Sequence, residues 1–162
     1  MPIVTLEYGE IVMGSAVGVQ RHLQAIQQNL ANTHELREED DRAWTFHIEG
    51  ALGELVAAKF FGLHWDGGVN KFSATDFGPV QIRTRTKPEY ELIVREKDPD
   101  DNVFLLVRGM CPTYNIVGWS FGRDAKNIKF RRRWGNRPAA YFVPDKCLKD
   151  PESLKRVVWM TA

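Results

Sequence analysis

Four polar side chains stand where a compact chain would be expected to place apolar ones: Glu54 in "GALGELVAAKFFG", Asp76 at the end of "FSATD", and Gln81 and Arg83 in "VQIRTR". Gly50, Ala51, Gly53, Ala57 and Ala58 surround Glu54 with small residues that let a helix pack closely on its neighbour. Because strand side chains alternate, Gln81 and Arg83 share one face while Val80 and Ile82 take the other. An aspartate opposite a strand that carries an acceptor and a cation could hold a divalent metal with a positive group beside it, the arrangement phosphodiester hydrolysis requires. Plainer roles fit the same residues. An aspartate ahead of Gly78-Pro79 closes turns, a Gln-x-Arg face is at home in water, and Glu54 suits an ion pair with Arg83 or Arg85. His47 near Glu54 and Asp66 in "HWDGG" are lesser candidates, the second as a turn residue.

The elements that must position these groups follow from periodicity. "PIVTLEYGEIVMG" alternates β-branched and polar residues and predicts two short strands around a Tyr8-Gly9 turn. "SAVGVQRHLQAIQQNLAN" has Val19, Leu23, Ile26 and Leu30 at helical spacing, with Ser15 as N-cap and Asn32 near the end. A second helix is expected in "EEDDRAWTFHIEGALGELVAAKFFG", with Trp44, Ile48, Leu52, Leu55 and Phe60 as its apolar stripe and Gly62 as its stop. "VQIRTR", "YELIVRE", "VFLLVRG" and "YNIVGWSF" then read as four strands of a mostly consecutive sheet, "AAYFVP" as another, and "DPESLKRVVWM" as a closing helix. The expected class is α/β (mixed α+β), one domain over residues 1–162, with 1–37 an N-terminal extension of strands and a helix.

The 162 residues are 43% apolar and 27% charged, which suits one soluble domain with a real core. Cys111 and Cys147 lack the spacing of a zinc site or a disulfide framework. The glycine-broken run "IVMGSAVGV" is too short to span a bilayer, so no membrane partner and a cytoplasmic location are expected. The net charge of +1 conceals a local excess. "RDAKNIKFRRRWGNR" sets seven Lys and Arg residues against Asp124, whereas "KDPDD" is acidic, with Asp100 and Asp101 expected in a solvated loop. Lys129, Arg131, Arg132 and Arg133, interleaved with Phe130 and Trp134, suit phosphate contact plus base stacking; a solubilising face is the alternative. Arg85 and Lys87 would extend the Gln81–Arg83 face into a row of cations.

"GELVAAKFFG", "ATDFG" and "VQIRT", in that order, resemble the core of the PD-(D/E)XK nuclease superfamily, and residues 49–144 resemble its small phage and prophage members. The resemblance implies a restriction-endonuclease-like core with a central mixed sheet flanked by helices. It also implies a hydrolase in which Glu54, Asp76 and Gln81, with the Ile82 carbonyl, bind Mg²⁺ or Mn²⁺. Arg83 would stand at the lysine position. Gln81 could ligate only through its amide oxygen, and Arg83 could stabilise charge but not act as a base. The implied partner is nucleic acid, DNA ahead of RNA, in a bacterial host cell. A homodimer and a host or phage protein partner are compatible with it. A module that keeps the fold and binds nucleic acid or protein without turnover is the alternative.

Overall fold

The computed structural model describes residues 1–28, 43–68 and 79–161, with side chains through residue 156. Asp76 lies outside the described residues, as do Leu30 and Asn32 at the expected end of the first helix.

The hairpin expected over residues 2–14 does not form. Only Ile3–Thr5 is a strand (β1), and helix α1 runs from Tyr8 to Gln27. Alternation over so few residues specifies little, whereas Glu10 reaches back to accept the Glu7 backbone N–H at 2.7 Å and Lys59 Nζ at 2.7 Å. These contacts tie the first helical turn to both its own entry and the neighbouring helix, and Lys59 holds the Glu10 pKa below the usual carboxylate value. Ser15 is therefore mid-helix, and the buried side of α1 is Gly14, Gly18 and His22. Leu23 and Ile26 are exposed. In the N-terminal part, β1 is an edge strand of the main sheet and α1 packs along α2 (Ala43–Phe61).

Helix α2 ends as expected at Gly62, which takes φ +69°. Its inner face is Ala51, Leu52, Gly53, Leu55, Val56, Ala57, Ala58 and Phe61. Trp44, at the start of the expected stripe, is exposed.

The strands form two sheets rather than one consecutive run. β2 (Val80–Arg85) is an edge of the first sheet and lies parallel to β4 (Val103–Met110). β4 pairs antiparallel with β5 (Thr113–Phe121), and β5 with β1. Between β2 and β4 the chain leaves to form β3 (Leu92–Arg95). This strand pairs with β7 (Ala140–Val143), which also pairs with β6 (Arg131–Arg132), giving the second sheet. The mixed four-stranded sheet of the expected α/β class is present.

Side-chain alternation sorts the core into two layers. Val80, Ile82, Val103, Leu105 and Val107 pack with α2 and with Leu154 of α4 (Pro151–Thr161). Phe104, Leu106 and Val117 face Leu92, Val94, Tyr141 and Val143 of the second sheet. Ala125, from the short helix α3 (Gly122–Ala125), joins that second layer. Covered on both faces, β4 reads as an unbroken apolar run from Val103 to Val107 rather than as an alternating one. Among the described residues no helix is long and apolar enough to cross a membrane.

Candidate functional site

Helix α2 sits directly on β2. A Cβ on Gly53 would come within 1.8 Å of the Thr84 hydroxyl, so only glycine permits this approach. Thr84, Val80 and Ile82 thus face the helix, while Gln81, Arg83 and Arg85 face the second sheet. That geometry divides the expected site. Glu54 belongs to the helix side, where Arg21 of α1 donates to both carboxylate oxygens at 2.6 Å and Trp65 Nε1 donates at 3.3 Å. Arg21 Nε is fixed in turn by the Gly68 carbonyl at 3.1 Å. Both partners are mostly buried, at 17% and 14% side-chain exposure. The ion pair allowed for Glu54 is therefore real, but its partner is Arg21 and not Arg83 or Arg85.

Across the sheet, Arg83 Nη2 donates to Gln81 Oε1 at 3.0 Å and to Asp98 Oδ2 at 2.8 Å, with its guanidinium 5.0 Å from the Phe104 ring centroid. Asp98 also accepts the Arg95 backbone N–H at 2.8 Å, which fixes the turn after β3. The structure brings Gln81 and Arg83 together and does not bring Glu54 to them. Asp76 lies outside the described residues.

The donor set does not fit a metal where it is described. The Gln81 oxygen, its one available ligand, already faces a guanidinium, and both Glu54 oxygens are taken by another. Ile82 lies within β2 with its side chain in the helix-side core. Among the described residues no group of three or more His, Cys, Asp and Glu is placed to hold a metal ion.

His47 is also on the helix side, its ring centroid 5.0 Å from that of His22 and not directed at Gln81. Burial first, then the charges of His22 and Arg21, push its pKa below the ordinary value. The unfolded chain takes the proton more readily. Stability is therefore complete above the unfolded pKa of about 6.5 and falls as pH drops below it, until the folded value is passed. Urea midpoints should be lower at about pH 5.5 than at about pH 7.5, and the difference should shrink in His47→Gln. Equal midpoints in the native protein would contradict this assignment. Asp66 is the turn residue expected, accepting the Gly68 N–H at 3.1 Å.

The basic segment has a different geometry. Residues 131–138 are exposed throughout. Arg131 and Arg132 form the edge strand β6, pairing with Glu96 at 3.8 Å and Glu91 at 2.8 Å, and Arg133 Nε donates to the Arg137 carbonyl at 3.2 Å. Trp134 is 63% exposed and meets Phe142 edge-on. Phe130, expected beside it as a stacking group, is instead 8% exposed in the second core, with Lys129 over its ring at 4.7 Å. The row of cations on β2 is not an exposed row. Arg83 is spent on Asp98, while Arg85 is half-buried and lies, with Lys87, over the Tyr90 ring.

Sequence reasoning missed Arg21, Tyr90 and Asp98. Arg21 meets Glu54 across a separation of 33 residues, which no local spacing encodes. Asp98 did carry a signal, since Asp-Pro after a strand marks a turn whose carboxylate can capture backbone N–H groups. Comparison of the chain with family models, with curated proteins and with solved structures found no match.

Proposed function

We propose that the chain binds nucleic acid, without needing a metal, along the basic rim of its second sheet, Lys129 and Arg131–Arg133 holding the phosphate backbone and Trp134 stacking on a base. The observation that carries this reading is the continuous exposure of residues 131–138, with four arginines around an exposed indole. The pairs with Glu91 and Glu96 do not oppose it, because exposed ion pairs contribute little and a phosphate oxygen can replace the carboxylate. Base stacking on an aromatic ring tolerates any sequence, so the substrate class is single-stranded DNA or RNA read by backbone and base face.

The nuclease alternative rests on Asp76 together with Glu54 and Gln81, and the last two are already engaged elsewhere. The test is a titration of labelled single- and double-stranded DNA and RNA in EDTA, with a parallel incubation in Mg²⁺ and in Mn²⁺. Retained binding in EDTA without cleavage in either ion is expected. Binding that requires the metal, or cleavage lost in Asp76→Ala, would overturn the reading in favour of the nuclease.

A further inference from the structure

Helix α1 meets α2 through Gly14, Gly18 and His22, and among the described residues its opposite side is open. Along that side run Tyr8, Val12, Ala16, Val19, Leu23 and Ile26. Tyr8 is 84% exposed, Val12 51%, Leu23 49% and Ile26 58%, while Ala16 is exposed and Val19 half-buried. From Val12 onward the steps are four, three, four and three residues, the narrow seam of a coiled coil. A helix face of this length that stays in water ordinarily carries charge. This one carries none. Glu10 is held by Lys59 and Arg21 by Glu54, both partners on α2, and His22 is buried, so the ionisable groups of α1 other than Tyr8 are turned toward α2.

The composition of the face selects what can cover it. Nucleic acid and anionic membranes both need Lys or Arg at the contact, and a charged peptide would leave its own charges unpaired. Residues 29–42, next in the chain, hold seven charged side chains and two leucines, a poor match for an uncharged stripe. A second copy of the same helix matches it. In an antiparallel pair about a twofold axis, reversal of one heptad brings each a position opposite a d position. Ala16 then faces Val19 of the second copy, Leu23 faces Val12, and Ile26 faces Gly9, so each larger residue meets a smaller one. The exposed apolar residues offer on the order of 500 Å² per copy, about 1,000 Å² for the pair, which is the area a specific interface has to reach. The exposed Gln20 and Gln27 flank the seam and add to it.

We propose that α1 is a dimerisation helix, packing antiparallel on α1 of a second copy of this chain through Val12, Ala16, Val19, Leu23 and Ile26. The surface is separate from the basic rim, which belongs to β6 of the second sheet, and does not depend on the nucleic-acid reading.

Sedimentation equilibrium of the whole chain, without nucleic acid, tests it. The native protein should be dimeric at micromolar concentration, and its Tm should rise with protein concentration. Leu23→Glu and Val12→Lys each place two unpaired charges in the seam and should weaken association at least about 100-fold. Both lie on the side of α1 away from α2, so the monomer keeps its fold, which far-UV circular dichroism checks. Mixed in equal amounts, the two variants should associate again, because the new lysine of one faces the new glutamate of the other while Leu23 of the first still meets Val12 of the second. A native monomer with a concentration-independent Tm overturns the proposal and leaves the face to residues 29–42 or to a different protein. A dimer that both variants leave intact places the interface elsewhere and overturns it equally. Dissociation by both without recovery on mixing rejects the antiparallel pairing, and the proposal with it. Replacing Arg131, Arg132 and Arg133 should leave the dimer unchanged, which separates failure of this surface from failure of the rim.

Discussion

Glu54→Ala is expected to cost the fold about 3 kcal/mol, the lower end of what is lost when one partner of a buried ion pair is removed. Alanine leaves Arg21 with both Nη donors facing an empty site and takes the acceptor from Trp65 Nε1. Arg21→Ala should cost a similar amount by stranding the carboxylate. The paired change Arg21→Met with Glu54→Leu should recover most of the loss, since well-packed apolar replacements of buried ion pairs are often neutral. Urea denaturation of the four proteins measures this. The same experiment separates two roles for Glu54. A metal ligand would be nearly silent in the unfolding of the metal-free protein, whereas the anchor of α1 on α2 dominates it.

Gly18→Ala should destabilise the protein by about 2 kcal/mol despite the gain of about 1 kcal/mol that alanine brings to a helix interior. An added Cβ would stand 2.5 Å from the Ile48 Cα, 2.8 Å from its N and 2.9 Å from the His47 carbonyl oxygen. These are backbone atoms of α2, which no rotamer change moves aside, so the two helices must separate. The Arg21–Glu54 pair lies one turn along the same interface and would lengthen with them. Thermal unfolding reports the cost. An unchanged or higher Tm would show that the helices can part without penalty.

Period and punctuation carried much of this fold. Gly62 stops α2, the β-branched runs become β2, β3, β4, β5 and β7, and Asp-Pro-Glu opens α4. What they did not carry is partnership across long separations. "YELIVRE" and "VFLLVRG" look alike as strands, yet β3 joins β7 and β4 joins β2 and β5, because the apolar face of β3 finds its cover on Phe104 and Leu106. The β-branched residues at 3, 4, 5, 11 and 12 resemble a hairpin and favour Ser15 as the start of the first helix; Glu10, held by the Glu7 N–H and by Lys59, starts it earlier. For the candidate site, the shared face of Gln81 and Arg83 was legible from alternation. That Glu54 would be claimed by Arg21 was not, since helix spacing places a carboxylate on a face without saying which neighbour meets it. Phe130 and Trp134 differ only in position along one basic run, and one became core while the other stayed exposed.

The measurement that bears most directly on the proposed function is the salt dependence of oligonucleotide affinity, in EDTA, for the native protein and for the variant with Arg131, Arg132 and Arg133 all changed to Gln. Each phosphate contact contributes roughly 0.7 to the slope of log affinity against log salt for a single strand and roughly 0.9 for a duplex. Affinity of the native protein should fall steeply with salt, and the triple variant should flatten the slope by about two to three units. An identical slope in the two proteins, or no binding by the native protein at low salt, would contradict the nucleic-acid role of this surface.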